Sequence, residues 1–189
     1  MTCPSVRRLL APAVLTCALF AVPGAATAAA APCANADLMP TAANGPQVRA
    51  ATLCLLNRER TSRGLSRLRH DGQLRKVAQG YSREMVRQRF FDHVGRDGST
   101  LTGRVRGRTT YLRSVASWSL GENLYWGTGE RATPRESVDG WMHSPGHRHN
   151  ILNPGFRDIG IGIAIGAPED VDGDPAATYT TEFGTRTSR

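Results

Sequence analysis

From Pro46 onward, apolar side chains recur every three or four residues. Val48, Ala51, Cys54 and Leu55 form a stripe that Leu53 and Leu56 broaden, with Arg58, Arg60 and Arg63 opposite. This period predicts an amphipathic helix, with Gly64 as its stop. Asp71 reads as the cap of a second helix, whose inner side carries Leu74, Val77, Ala78, Tyr81, Met85 and Val86. Arg75, Lys76, Arg83 and Arg87 occupy its other side. Residues 95–98 read as a turn, Ser99 or Thr100 as the start of a short helix over residues 101–105, and residues 107–119 give no clear pattern. Thr133-Pro134-Arg135-Glu136 combines a capping box with proline in the first helical position, predicting a helix over residues 134–142. Ser144-Pro145-Gly146-His147 opens another helical turn toward Leu152.

The period then changes to two. Ile159, Ile161, Ile163 and Ile165 alternate with Gly160, Gly162 and Ala164, which predicts a strand over residues 158–165 with one face small enough for close packing. Residues 177–183 are its natural antiparallel partner across the acidic loop 168–175. Helices gathered around an antiparallel sheet make an α+β domain of layered type. No internal repeat and no second domain is legible. The domain is placed at residues 48–186, after an Ala-, Pro-, Asn- and Gly-rich tail or linker at 31–47.

The first thirty residues change the picture. Arg7 and Arg8 precede an apolar run over residues 9–22 and a small-residue stretch over residues 25–31, the layout of a signal peptide cleaved near Ala28 or Ala30. Pro12 and Pro23 interrupt a run already too short to span a membrane. Two variants remain open: Arg7-Arg8-Leu9-Leu10 faintly resembles a twin-arginine signal, and Cys17 a lipid-bearing cysteine, although Thr16 suits the latter poorly. A secreted, extracellular product is expected.

Export would leave Cys33 and Cys54 as a pair in an oxidising compartment, contributing roughly 3 kcal/mol as a structural bridge. The formal charge is +8, about +6 without Arg7 and Arg8, with a single lysine, Lys76. Such a surface suits anionic wall polymers or lipid headgroups, while no nucleic-acid recognition motif is present. The chain is expected to be a monomer without a transmembrane segment.

Three segments concentrate chemistry: Phe90-Phe91-Asp92-His93, Leu120-Gly121-Glu122-Asn123-Leu124 and Trp141-Met142-His143-Ser144-Pro145-Gly146-His147-Arg148. His93, Glu122 and His147 are the ligand types that zinc accepts. Around Asp170-Val171-Asp172-Gly173-Asp174, alternating acids would suit calcium, but the glycine and closing glutamate of an EF-hand are missing, so an acidic hairpin loop is the better reading. His143 and His149 flank His147, with Pro145 and Gly146 breaking the geometry a local three-histidine site needs.

With Leu56-Asn57-Arg58-Glu59-Arg60 and Ile159-Gly160-Ile161-Gly162, these segments resemble, in order, the CAP superfamily of cysteine-rich secretory proteins, antigen 5 and pathogenesis-related 1 proteins. The resemblance covers residues 48–184 and implies a three-layer α-β-α sandwich of CAP type with a central antiparallel sheet and a cleft. It implies a cleft tetrad of two histidines and two acids, in which zinc or another divalent cation has been found on the histidines. His93, Glu122 and His147 match three members. The position of the second acid is Ser144, with Asp139, Glu136 or Glu182 as substitutes. Asn123, Trp141 and Ser144 would surround the site.

Glu122 either completes a His₂Glu metal set or stands off and orients one imidazole. It cannot readily be both ligand and base, and no His-Glu-x-x-His or Gly-x-Ser-x-Gly motif is present. The expectation is therefore a non-enzymatic module binding a divalent metal and a lipid, peptide or cell-wall fragment. An extracellular metal-dependent hydrolase is the alternative.

Overall fold

The computed structural model describes Met1 and residues 31–171 and 173–188. The signal-peptide assignment, with Cys3 and Cys17, lies outside the described residues, as does Asp172 of the acidic loop. All elements named below belong to the unit formed by residues 32–189.

Helix α1 (Gly45–Thr61) buries Val48, Ala51, Leu55 and Leu56 on its apolar stripe. Helix α2 (Gly72–Gln88) begins where Asp71 accepts from the backbone N–H groups of Gln73 and Leu74, and it buries Leu74, Val77, Ala78, Tyr81 and Met85. Between them lies the two-residue strand β1 (Arg69–His70). Helix α3 (Leu101–Arg108) is capped by Thr100, strand β2 spans Val115–Thr128, and helix α4 (Pro134–His143) is capped by Thr133. Helix α5 (Pro145–Leu152) follows at once, so that Ser144 ends one helix and starts the next. Strands β3 (Asp158–Ile165) and β4 (Ala176–Ser188) complete the chain.

The sheet order is β1-β3-β4-β2. The three long strands are antiparallel, as expected, but the sheet is mixed because β1 runs parallel to β3. Its presence follows from the α1–α2 link lying along the outer edge of β3, where Arg69 N–H donates to Arg157 C=O and Asp71 N–H to Ile159 C=O. Strand β2 was not legible in the pattern. Ser117, Ser119, Gly121 and Asn123 are weak strand formers, yet pairing with β4 along nearly the whole strand overrides their propensity.

The alternation in β3 sorts the layers. Ile159, Ile161 and Ile163 join Leu55, Leu56, Trp141 and Phe183 in the core under α1, α4 and α5. The opposite face meets α2 at backbone distance: a Cβ on Gly160 would lie 2.1 Å from the Leu74 carbonyl carbon, and one on Gly162 2.2 Å from that of Ala78. Only glycine permits this approach. The architecture is thus the expected α-β-α sandwich, with β2 at one edge.

Cys33 and Cys54 are disulfide-bonded. The stretch read as a tail is packed onto the domain near this bridge: Cys33 and Ala36 are buried, and Asp37 forms an ion pair of 2.6 Å with Arg135. Among the described residues, no helix is long and apolar enough to cross a membrane.

Candidate functional site

In the register of β2 and β4, Glu122 lies directly opposite Glu182, and in that of β3 and β4, Glu182 lies opposite Gly160. Both carboxyls therefore face the α2 layer, because neighbours across a sheet share a face. Asn123, one residue on, faces α5. The site assembles at the β2 edge, where side chains from both layers meet.

His93 arrives on the irregular segment after α2, which turns at Arg89 with φ 51°. Tyr81 Oη donates to Asp92 C=O at 2.6 Å, and Val94 N–H donates to the Asp92 side chain at 2.8 Å, so the residues around the imidazole are held. His93 Nδ1 lies 2.7 Å from Glu122 Oε1. The other oxygen, Glu122 Oε2, accepts from Arg104 of α3 at 2.5 Å. Arg104 also donates to the His93 carbonyl at 3.1 Å and to the Ser99 carbonyl at 2.8 Å, and its guanidinium lies 3.4 Å over the Tyr81 ring centre. The side-chain exposures of Arg104 and Glu122 are 0% and 3%, against 56% for His93. A sealed ion pair thus ends on a half-exposed imidazole.

On the other side, α5 is stitched to β2. Asn123 Nδ2 donates to the His147 carbonyl at 3.0 Å, while Asn150 Nδ2 donates to the Glu122 carbonyl at 3.1 Å and to Asn123 Oδ1 at 2.9 Å. Trp141 Nε1 donates to the Leu124 carbonyl at 2.9 Å, fixing α4 on the same strand. These contacts bring His147 near enough to His93 for their charges to repel.

The two imidazoles are pushed in opposite directions. The hydrogen bond to Glu122 raises the pKa of His93 above the usual histidine value, against burial and Arg104. Burial lowers that of His147, and the charge of His93 lowers it further. Glu182 is wholly buried, and no donor reaches either of its oxygens among the described residues. Burial first, then the charge of Glu122, lifts its pKa well above the ordinary carboxylic value. Burial and the neighbouring Glu122 carboxylate therefore both favour the protonated form of this group.

His147 also borders a hollow of about 260 Å³ walled by Phe91, Leu124, Tyr125, Trp126 and Trp141, with Ser144 at its margin. Trp118 lies outside this hollow: it is exposed, with Arg106 5.5 Å from its ring centre.

Of the three acids that could replace the one missing at Ser144, only Glu182 neighbours Glu122. Glu136 and Asp139 line a separate depression with Arg58 and Met142. Neither His143 nor His149 joins the site: His143 Nδ1 lies 2.9 Å from the Asp139 carbonyl, and His149 is exposed. Among the described residues, no group of three His, Cys, Asp or Glu side chains is gathered at metal-ligand spacing. With one oxygen on Arg104 and the other on His93, Glu122 does not fit the third position of a His₂Glu set. Arg104 and Asn150 went unrecognised as site residues. Arg104 is one of several arginines in and around α3, and nothing in their spacing marks the buried one.

The sequence matches the profile of the cysteine-rich secretory protein family, CAP, over residues 53–181. The chain belongs to this family. It is 36% identical over 108 residues to the uncharacterized protein YkwD of Bacillus subtilis, a match spanning 57% of this chain and 39% of that protein. An extracellular SCP-domain protein of Bacillus anthracis shares the fold with a TM-score of 0.53 and 26% identity, over 74% of this chain and 43% of that one. An outer surface protein of Borrelia burgdorferi gives a TM-score of 0.57 at 22% identity, over 76% of this chain and 96% of that one. The chain thus spans under half the length of YkwD and of the B. anthracis protein.

Proposed function

We propose that this CAP domain is an exported binding module, without catalytic activity, whose cleft takes a side group of an extracellular peptide or cell-wall fragment. The apolar part enters the hollow beside His147, and a polar part meets the imidazoles. The carrying observation is the commitment of both Glu122 oxygens, to His93 at 2.7 Å and Arg104 at 2.5 Å, which ties up the carboxylate that would otherwise activate water. A volume of about 260 Å³ lies below that of pockets enclosing whole drug-sized ligands. It suits one ring or branched side chain better than an entire lipid. Export is supported by the leader in the sequence and by the extracellular B. anthracis relative.

A divalent ion, in this reading, is held by His93 and His147 alone. Glu122 sets the His93 tautomer from behind, leaving Nε2 as the nitrogen available to a ligand. Zinc titration by calorimetry tests this part: weak binding is expected, lost in His93→Ala/His147→Ala, and unchanged affinity in that double variant would remove the metal site. Trp126→Ala should abolish binding of wall-derived peptides while sparing zinc. A hydrolase reading draws support from the opposed titration of the imidazoles, the pattern of a general acid beside a base. Turnover of wall polymers or peptides that is lost in His147→Ala would establish it over the binding module.

A further inference from the structure

A second concavity lies away from the cleft, between the start of α1, the exposed side of α2 and the end of β3. Two hollows of about 490 and 340 Å³ share Pro46 and Arg49 and so form one groove. The buried Ile161 and Ile163 lie beneath it, and Ile165, exposed at 46%, is its open apolar surface. Four arginines line it: Arg49 from α1 and Arg75, Arg83 and Arg87 from α2. Among the described residues, no acid lines either hollow and none of these guanidiniums forms an ion pair or a side-chain hydrogen bond. The nearby Asp170 is taken by Arg89 at 2.7 Å. Arg49 is partly desolvated and feels the like charge of Arg75, which lowers its pKa. Like charges crowded over an apolar floor call for an anionic partner.

We propose that this groove binds an extended polyol phosphate chain, a phosphodiester polymer without bases. Arg75, Gln79, Arg83 and Arg87 follow one another every fourth residue on α2, so their Cα atoms rise about 6 Å per step and span roughly 18 Å. The three arginines of that row spread positive charge along its length, which suits a linear polyanion and not a single headgroup at a pocket mouth. Guanidinium groups pair bidentately with phosphate oxygens, and the exposed Ile165 packs against the carbon atoms between phosphates.

Two other polyanions fit less well. An acidic peptide would add as a strand to the free edge of β3, but Gln79 already occupies it: its side-chain amide donates to the Ile163 carbonyl at 2.7 Å and accepts from the Ile163 N–H at 3.3 Å. Single-stranded nucleic acid needs aromatic platforms for its bases, and among the described residues no Phe, Tyr or Trp lines the groove.

The test is the affinity of the purified chain for soluble poly(glycerol phosphate), measured across a salt series. Binding that weakens with salt is expected. Arg83→Gln/Arg87→Gln, both at exposed positions, should lower affinity at least tenfold and reduce the log–log salt slope by ~1.4. Arg67→Gln/Arg113→Gln, which removes the same charge from exposed positions elsewhere, should leave affinity within about twofold. Absence of binding at low salt, or an equal loss in the control pair, overturns the proposal. So does equal or tighter binding of poly-glutamate or of a single-stranded oligonucleotide of matched charge.

Discussion

Arg60 and Arg104 are both sealed from solvent, and their guanidinium groups end on different chemistry. Arg60 donates only to backbone carbonyls, those of Ser66, Ile151, Asn153 and Phe156, at 2.7–3.3 Å. It ties the end of α1 to the end of α5, and its charge goes no further. Arg104 also takes two carbonyls, but its remaining contact is Glu122, which leads to a half-exposed imidazole. A buried cation surrounded by carbonyl dipoles is a joint. One that ends on a carboxylate with a route to solvent holds a proton-carrying group in place.

The largest effect should come from Arg104→Leu. It leaves Glu122 buried and uncompensated opposite Glu182, at a cost of about 3–5 kcal/mol in urea unfolding at neutral pH. Because protonation relieves the orphaned carboxylate, this loss should shrink as the pH falls. Arg60→Leu strands carbonyls instead of a charge and should cost about 3 kcal/mol, with no change as the pH falls. Matching pH profiles for the two variants would break the distinction.

Glu182→Gln sharpens it further. A carboxyl whose folded pKa is raised binds more protons folded than unfolded, so its contribution falls as the pH climbs from the ordinary carboxylic range through the folded value. The amide should therefore stabilise the domain at neutral pH and flatten the alkaline decline of the melting temperature. A lower melting temperature at pH 7 would show that Glu182 needs its charge.

The smallest effect belongs to His93→Gln. With a raised pKa, the His93–Glu122 bond stabilises fully below the ordinary histidine value and fades as the pH rises through the folded one. Since His93 is largely exposed, less than about 1 kcal/mol is expected, greater at pH 6 than at pH 8.5. Proton NMR titration should place the His93 transition above that of His147.

The layers were readable because β3 writes them plainly: isoleucine on one face, glycine on the other, with only one packing that satisfies both. His93, Glu122 and His147 were readable because each sits in a short segment of unusual residue types. What stayed hidden depends on long-range pairing. Strand β2 has polar, turn-like residues and becomes a strand only through β4, so the facing of Glu122 and Glu182 could not be foreseen from local pattern. Glu182 was one of three possible acids, and only the register separates it from Glu136 and Asp139. Arg104 and Arg60 look like their arginine neighbours, and burial is a property of the assembled core.

Arg104 bonds the His93 carbonyl and one Glu122 oxygen, while the other Glu122 oxygen meets the ring of the same histidine, so three residues close a circuit. If the ring swings away it gives up its bond to a carboxylate that Arg104 still holds, while its backbone stays tied to the same guanidinium. A visiting molecule therefore meets a finished surface at this wall of the cleft. Whatever adjustment recognition requires must come from the guest or from the aromatic side around Phe91 and Trp126.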